Sequence, residues 1–509
     1  MDWTDGYVSD IAYTTGFYRE LAPSYLRFAA QLQGQHAPDP AKPFAYAELG
    51  CGQGFGTNLL AAAYPHGRFV GLDFNPGQVA NARGLAEEAQ LANVEFRDDS
   101  FREAADLPDD ALPAFDFVAL HGIYTWVSEA NRRAIVRFIE RKLKPGGLVY
   151  VSYNCMPGWA AMAPFQRLLV EHAERNPDRS DRQVAAGFDF VQRLRDAEFA
   201  YFGQNPAVPK RIDKMKDKDR QYLAHEYLNG TWQPLFVTDV AREMAEAKLD
   251  YVGSAALLEN FDALCLPKGA REVAAETTDP GFRELLKDYA INQQFRRDVY
   301  VKGARPMTGV EKQRALFDTA FAPLHPGAEM SFTFKTPLGE ATGQSEVYQP
   351  VADAFAKGRT TLREVAGSSG IDGPRLLQAF AVLTSSGQIH PALPDGDPAP
   401  AQRINRAVAQ RSLLGEPYRY LAAPAIANGI NASDVEIAAL DALRSQEGGA
   451  TDAEALAKAV WSQFRGVGRR LAKDGKALES DSDNLRELQD RLSTILQQRV
   501  PIWTELGLL

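Results

Sequence analysis

From residue 48 to residue 56 the chain reads Glu48-Leu49-Gly50-Cys51-Gly52-Gln53-Gly54-Phe55-Gly56, with glycine at every second position from Gly50 onward. Such a run does not suit the inside of a helix or strand, where glycine forfeits entropy and leaves nothing to pack. It suits a tight turn. The apolar run FAYAEL precedes it and a helical stretch follows from about Thr57, so the turn joins a buried strand to a helix. Glycines there let the backbone approach a ligand that any Cβ would hold off. The first N–H groups of the helix beyond lack partners within it and can serve the same ligand.

The alternation continues through RFVGLD, a helix from about Pro76, NVEFRD, FDFVAL and LVYVSY. Strands alternating with helices predict βαβ units and a largely parallel sheet, hence an α/β fold. The rhythm then changes. Residues 159–232 read as mostly helical, a helix near 236–248 leads into LDYVGSA, and DVYVKG at 298–303 is again strand-like. A helical insertion followed by the last strands of the sheet is expected. Beyond residue 304 come the short strand SFTFK, helices near 347–356, 361–366 and 372–386, and then GQIHP, an order that resembles a winged helix. After the linker PALPDGDPAPA the remainder reads as helical, with Leu485, Leu488, Leu492, Ile495 and Leu496 on one face and Asp483 as N-cap.

Two nucleotide-binding classes use a glycine turn of this kind, and neither fits. A dinucleotide fingerprint would place glycine at 55 or 57, where Phe55 and Thr57 stand, and no Gly-Lys-Ser/Thr triplet exists for a phosphate loop. What is present is an acidic residue followed by alternating glycines. Asp73 then ends the second strand, where a carboxylate accepts ribose hydroxyls in related folds. Asp98-Asp99-Ser100 ends the third. His121-Gly122-Ile123-Tyr124 follows the fourth, and Leu143-Lys144-Pro145-Gly146-Gly147 introduces the fifth.

This series resembles the motifs of the class I S-adenosylmethionine-dependent methyltransferases, a Rossmann-like fold. Blocks 224–255 and 295–303, with HGIYTWV at 121–127, resemble a narrower group. In it a methyltransferase regulatory domain accompanies the catalytic one, as in bacterial lysine methyltransferases acting on surface proteins. The resemblance implies S-adenosyl-L-methionine as cofactor, held by Glu48, Gly50, Cys51, Gly52, Gly54 and Asp73. By resemblance Asp99 takes the adenine amino group, Ser100 offers its backbone N–H to the ring, and Tyr13 and His121 also touch the cofactor. His121, Tyr124 and Tyr18 are expected around the transferred methyl, within an aromatic wall to which Tyr13 and Tyr153 also belong. Trp126 is read as core.

The expected units are an N-terminal cap segment (1–43), the cofactor-binding domain (44–158), the insertion and regulatory domain with the last strands (159–303), a winged-helix-like domain (304–398) and a helical C-terminal domain (399–509). At 509 residues the chain is too long for one core, and its length predicts two to four domains. A net charge of −10, and 22 basic against 24 acidic residues over 304–509, disfavour nucleic acid as a partner. The winged-helix-like unit is read as a protein-binding or dimerisation module, so a homodimer stays open. The run at 210–220, six basic and three acidic residues, reads as a solvated helix or a lid. His225-Glu226 lacks the second histidine of an H-E-x-x-H zinc site, and no metal is expected.

Three scattered cysteines suggest a reducing compartment. No secretory leader or membrane span is expected, since the start is acidic and the uncharged stretch 145–166 is broken by three prolines. The expected location is cytoplasmic. The expected function is methylation of lysine side chains on a protein. A methyltransferase for a small metabolite or glycan, and a cofactor-binding regulator without turnover, remain as alternatives.

Overall fold

In the computed structural model the described residues are 4, 6–11, 15–445 and 452–509. Seven strands form the central sheet: β1 (Phe44–Leu49), β2 (Gly67–Leu72), β3 (Val94–Arg97), β4 (Phe115–Leu120), β5 (Leu143–Asn154), β6 (Leu249–Ser254) and β7 (Phe295–Lys302). Their order is β3-β2-β1-β4-β5-β7-β6. The first five run parallel, while β7 is antiparallel to both β5 and β6. All six residues of β1 are buried, as expected for a parallel strand covered on both faces. Strand order reverses at β1, and a crevice opens beyond its carboxyl end.

The helices that shape the site begin with α1 (Pro23–Leu32), before the sheet. Next come α2 (Phe55–Ala63), α3 (Pro76–Glu88), α4 (Phe101–Asp106) and α5 (Glu129–Lys142), each following one of the first four strands. Local chemistry fixes their starts. Asn75 caps α3 by accepting from Gly77 and Gln78 N–H, with Pro76 at the first helical position, and Ser128 caps α5 through Asn131 N–H.

Between β5 and β6 lie α6 (Ala163–Arg175), α7 (Ser180–Asp196), α8 (Ala200–Gln204), α9 (Ala207–Met215), α10 (Arg220–Tyr227) and α11 (Val237–Glu246). Most of this insertion closes around a core of its own that includes Trp159, Phe165, Leu169 and Tyr227, joined by Val8 and Ile11 from the start of the chain.

The C-terminal third does not stand apart. One continuous apolar core runs from Leu26 and Phe28 of α1 through Phe321 and Phe380 to Leu421 and Trp503. Helices Ser345–Phe355, Leu362–Ser369 and Gly373–Ser385 lie where the winged-helix reading placed them. The strand that follows them, Ile389–Pro391, pairs with Ala320–Pro323 rather than forming a hairpin wing, and the hairpin of this region (333–342) precedes the helices. Residues beyond 399 are not wholly helical, since Tyr420–Ala423 and Asn428–Asn431 pair as a hairpin. Ser480, not Asp483, caps the helix Asp481–Gln498: its hydroxyl accepts from Asp483 N–H, one turn further in. Among the described residues no helix is long and apolar enough to cross a membrane.

Candidate active site

The glycine turn floors the crevice. Gly50, Gly52 and Gly54 adopt φ of +73°, +55° and +67°, the left-handed region that favours glycine. Gly50 and Cys51 N–H both donate to the Leu72 carbonyl, at 2.7 and 3.0 Å, which ties the turn to the end of β2. The glycines differ in what excludes a side chain. A Cβ on Gly50 would lie 2.3 Å from Ile123 Cδ1, and one on Gly54 2.3 Å from Ala82 Cβ. A Cβ on Gly52 would meet only Gln78 Oε1, at 3.3 Å, and both residues line the crevice. Packing as well as backbone demands glycine at 50 and 54, whereas at Gly52 only the left-handed backbone does, and the space before it is open to an occupant. Gly52→Val should therefore lose cofactor binding by calorimetry, with some loss of stability from a β-branched residue at a left-handed φ. A variant that folds and still binds would show that the turn cradles nothing.

Asp73, at the end of β2, is 7% exposed. Its Oδ2 accepts from Gly52 N–H at 2.9 Å and its Oδ1 from Asn75 N–H at 3.0 Å. Burial pushes its carboxyl up to about 6 against these two bonds. Each oxygen keeps acceptor capacity for a further donor. Phe74, Gln78, Phe101, Ile123 and Trp126 wall this half of the crevice, which encloses about 900 Å³ with its mouth included.

A second half opens on the other side of Gly50 and Gly52, along Glu48, Cys51, Gln53 and Tyr18. Glu48 accepts from Thr57 Oγ1 at 2.5 Å, and burial pushes its carboxyl up to about 7. Gln53 Oε1 accepts from Asn81 Nδ2 at 2.6 Å, and Asn81 Oδ1 accepts from Arg411 Nη1 at 3.0 Å. The C-terminal third thus buttresses the turn through α3.

His121 lines both halves. Its Nδ1 lies 2.9 Å from Tyr150 Oη and 3.3 Å from Ser152 Oγ, and the Tyr18 ring stacks on it at 3.5 Å. Burial and the nearby Arg297 charge press its pKa down to about 3. The ring is neutral at pH 7 and too weak a base to take a proton from an ammonium group.

Other expected site residues are placed differently. Tyr124 is 0% exposed, and its hydroxyl donates to Glu243 Oε2 at 2.5 Å, so it belongs to the core against α11. Tyr124→Phe should lower stability by about 1–3 kcal/mol in thermal melts, through a Glu243 acceptor left short of a donor, with cofactor affinity unchanged. Tyr153 is likewise core, donating to Asp298 Oδ2 at 2.6 Å. Asp99 accepts from Arg97 Nε at 2.5 Å and faces a depression beside α3 rather than the crevice. Ser100 lines the crevice, but its N–H donates to Glu103 Oε2 at 2.8 Å in a capping box, which removes the donor expected for the adenine ring. Tyr13 lies outside the described residues.

Sequence reasoning missed Phe74, Gln78, Phe101 and Tyr7, and misread Trp126 as core. The first three had a signal: each falls within five residues of Asp73 or directly after Ser100, where the strand ends deliver the chain to the ligand. Tyr7 had none. Its ring meets Phe74 edge-on at 5.8 Å, and Gly6 O accepts from Gly230 N–H at 2.8 Å. Residues 4 and 6–11 thereby close over the Asp73 half from the insertion side, with Thr4 and Tyr7 as lining.

Family comparisons match this architecture. Residues 47–147 fit the "Methyltransferase domain" family and residues 219–302 the "Predicted methyltransferase regulatory domain" family. Protein sll1526 of Synechocystis sp. is 38% identical over 100% of both chains. The chain belongs to the class I S-adenosylmethionine-dependent methyltransferases with a regulatory domain. The trans-aconitate 2-methyltransferase of Methylobacterium nodulans is 30% identical, over 36% of this methyltransferase and 64% of that protein. PKMT2 from Rickettsia typhi, solved in complex with AdoHcy, shares the fold with a TM-score of 0.71 at 19% identity, covering 97% of this chain and 100% of that one.

The residues fit the cofactor. Asp73 has acceptor capacity left for hydroxyls, Gly52 presents bare backbone, and aromatic rings flank them. The methyltransferase would hold the ribose at Asp73 and the rest of the molecule along the glycine turn. Among its described residues no group of three or more His, Cys, Asp or Glu is placed to hold a metal ion.

Proposed function

We propose that the enzyme methylates lysine side chains of a protein. S-adenosylmethionine supplies the methyl group on a sulfonium that leaves readily. The protein must bring in an acceptor whose nitrogen lone pair is free. For lysine, with a reference pKa near 10.4, deprotonation at pH 7 costs on the order of 4–5 kcal/mol. The observation that carries the proposal is the Tyr18–His121 stack, two neutral rings facing the junction of the crevice halves. Such a wall desolvates an entering ammonium and favours its neutral form. Tyr18 remains 37% exposed, so a side chain can reach it from the surface. Likeness to PKMT2 along nearly the whole chain supports a protein lysine acceptor, whereas likeness to the small-molecule enzyme spans about a third. The three cysteines are free thiols, which accords with a reducing cytoplasm.

The test is transfer of labelled methyl from S-adenosylmethionine to lysate, split into protein and small-molecule fractions, with acid hydrolysis of the protein. Label recovered as methyllysine supports the proposal. Label confined to the small-molecule fraction assigns a metabolite acceptor instead, and no label in either fraction leaves a cofactor-binding regulator.

A further inference from the structure

Tyr18 lies in a short extended stretch, with φ −126° and ψ 109°. Successive side chains of an extended chain point to opposite sides. Phe17 and Arg19 therefore turn away from the side on which the Tyr18 ring meets His121. Both of these neighbours are gripped by the C-terminal third. The Phe17 ring packs against Tyr420 at 5.0 Å and fills the space over Gly429, where a Cβ would lie 2.7 Å from Phe17 Cε1. The Arg19 guanidinium donates to the Ser385 carbonyl, at the end of the helix Gly373–Ser385. The Arg19 carbonyl accepts from Asn428 Nδ2 at 3.0 Å.

Asn428 is buried at the start of the return strand of the hairpin, and its amide is fully committed. Of the two Nδ2 hydrogens, one goes to Arg19 O and the other to His390 Nε2 at 2.7 Å, while Oδ1 accepts from Gly429 N–H at 2.8 Å. His390 is oriented in turn. Its Nδ1 lies 2.8 Å from the Pro391 carbonyl, which can only accept, so Nδ1 carries the ring proton and Nε2 is left as acceptor. Burial presses the pKa of His390 down to about 3, against that bond, and the ring is neutral at pH 7. Asn405 ties the hairpin to the helix Ala399–Leu413 by exchanging two hydrogen bonds with Ala422, at 2.7 and 2.9 Å. The same helix carries Arg411, which supports the glycine turn through Asn81. One helix thus stands behind both the cofactor turn and the stretch that bears Tyr18.

We propose that Asn428 is a positioning residue for methyl transfer: by fixing the Arg19 carbonyl it sets the Tyr18 ring on His121, so that the C-terminal third holds the wall along which the acceptor enters. The proposal rests on the reading of the Tyr18–His121 stack as that wall. A partly exposed ring keeps its place only if its backbone is held. Without the Asn428 amide, the Arg19 carbonyl and His390 Nε2 both lose their donor from the hairpin, and the stretch is released on one side of Tyr18.

The test uses the full chain. A ring stacked face to face shields the protons of its partner, so the His121 ring resonance reports the stack in the absence of any acceptor. Spectra of isotope-labelled histidine, with His121→Gln to assign the signal among the seven histidines, provide it. Asn428→Ala should move that resonance in the same direction as Tyr18→Ala does. By calorimetry it should bind S-adenosylmethionine within about twofold of the parent, since the two sites are separate. Turnover of labelled methyl on lysate should fall about tenfold, the scale of a displaced wall, and the pH optimum should move upward as for Tyr18→Ala. Added to Tyr18→Ala, the change should cost less than about twofold more, because both act on one ring. If Asn428→Ala fails to fold, Gly429→Ala, which crowds the Phe17 ring, carries the same expectations. A lower melting temperature with an unmoved His121 resonance and a parent-like pH optimum would make Asn428 a packing residue and overturn the proposal, as would full additivity with Tyr18→Ala. Slow turnover in Tyr18→Ala beside parent-like turnover in Asn428→Ala would remove Asn428 alone. Parent-like turnover in Tyr18→Ala itself would bring down the wall reading and this role with it.

Discussion

Asp73→Ala is expected to weaken S-adenosylmethionine binding by two to four orders of magnitude and to leave the fold standing. Two ribose hydroxyls donated to a charged acceptor are worth about 1.5–3 kcal/mol each, or about 3–6 kcal/mol together, which is roughly 10²–10⁴ in Kd. Part of the loss arises before any ligand arrives. Gly52 N–H and Asn75 N–H both donate to this carboxylate, so its removal also frees the turn that the cofactor lies against. The pH dependence has a definite sign. Burial lifts Asp73 to about 6 in the cofactor-free protein, and the ionised form is the better acceptor for hydroxyls. Protons therefore compete with the ligand, and affinity should decline as pH drops through 6 and stay level above it. Asp73→Asn should abolish that decline. Calorimetry across pH 5–8 checks both points, and unchanged affinity in Asp73→Ala would remove this residue from the ribose site.

Tyr18→Ala should cut turnover by one or more orders of magnitude, because the ring that shields the acceptor side of His121 is lost and water enters. Tyr18 stacks on His121 at the surface, so the melting temperature of the cofactor-free protein should barely move. With a wetter channel the amine keeps a pKa nearer 10.4, and the pH optimum should shift upward. An unchanged rate and optimum would place the acceptor elsewhere. Deleting residues 1–22 would test something different. Val8, Ile11, Phe17 and Leu21 are buried, and Phe17 packs against Tyr420 at 5.0 Å. That truncation should destabilise the protein and say little about the channel.

The first five strands and the glycine turn were legible because a buried parallel strand writes a continuous apolar run and a left-handed turn demands glycine. Both signals are local. The same locality explains why Gly50, Gly52 and Gly54 look alike in sequence, although Ile123 and Ala82 crowd out a side chain at two of them, while at Gly52 only the left-handed backbone disfavours one. Tyr124 and Trp126 show the limit. Both follow the fourth strand within a few residues, yet Tyr124 turns inward because Glu243, 119 positions later, waits for its hydroxyl, while Trp126 faces the crevice. Strand ends announce that nearby side chains are close to the ligand. They do not announce which way those side chains point.

The sequence by itself determined the sheet, the cofactor turn and the acidic residue at the end of β2, since period, glycine placement and strand length are properties of contiguous residues. Tertiary structure alone decided what surrounds the acceptor. Tyr7 and Tyr18 come from the N-terminal segment and His121 from the end of β4, and the pKa of His121 is set chiefly by burial. Only folding the N-terminal segment against the strand ends withdraws that imidazole from water, because desolvation depends on what packs around a group and not on its neighbours in the chain.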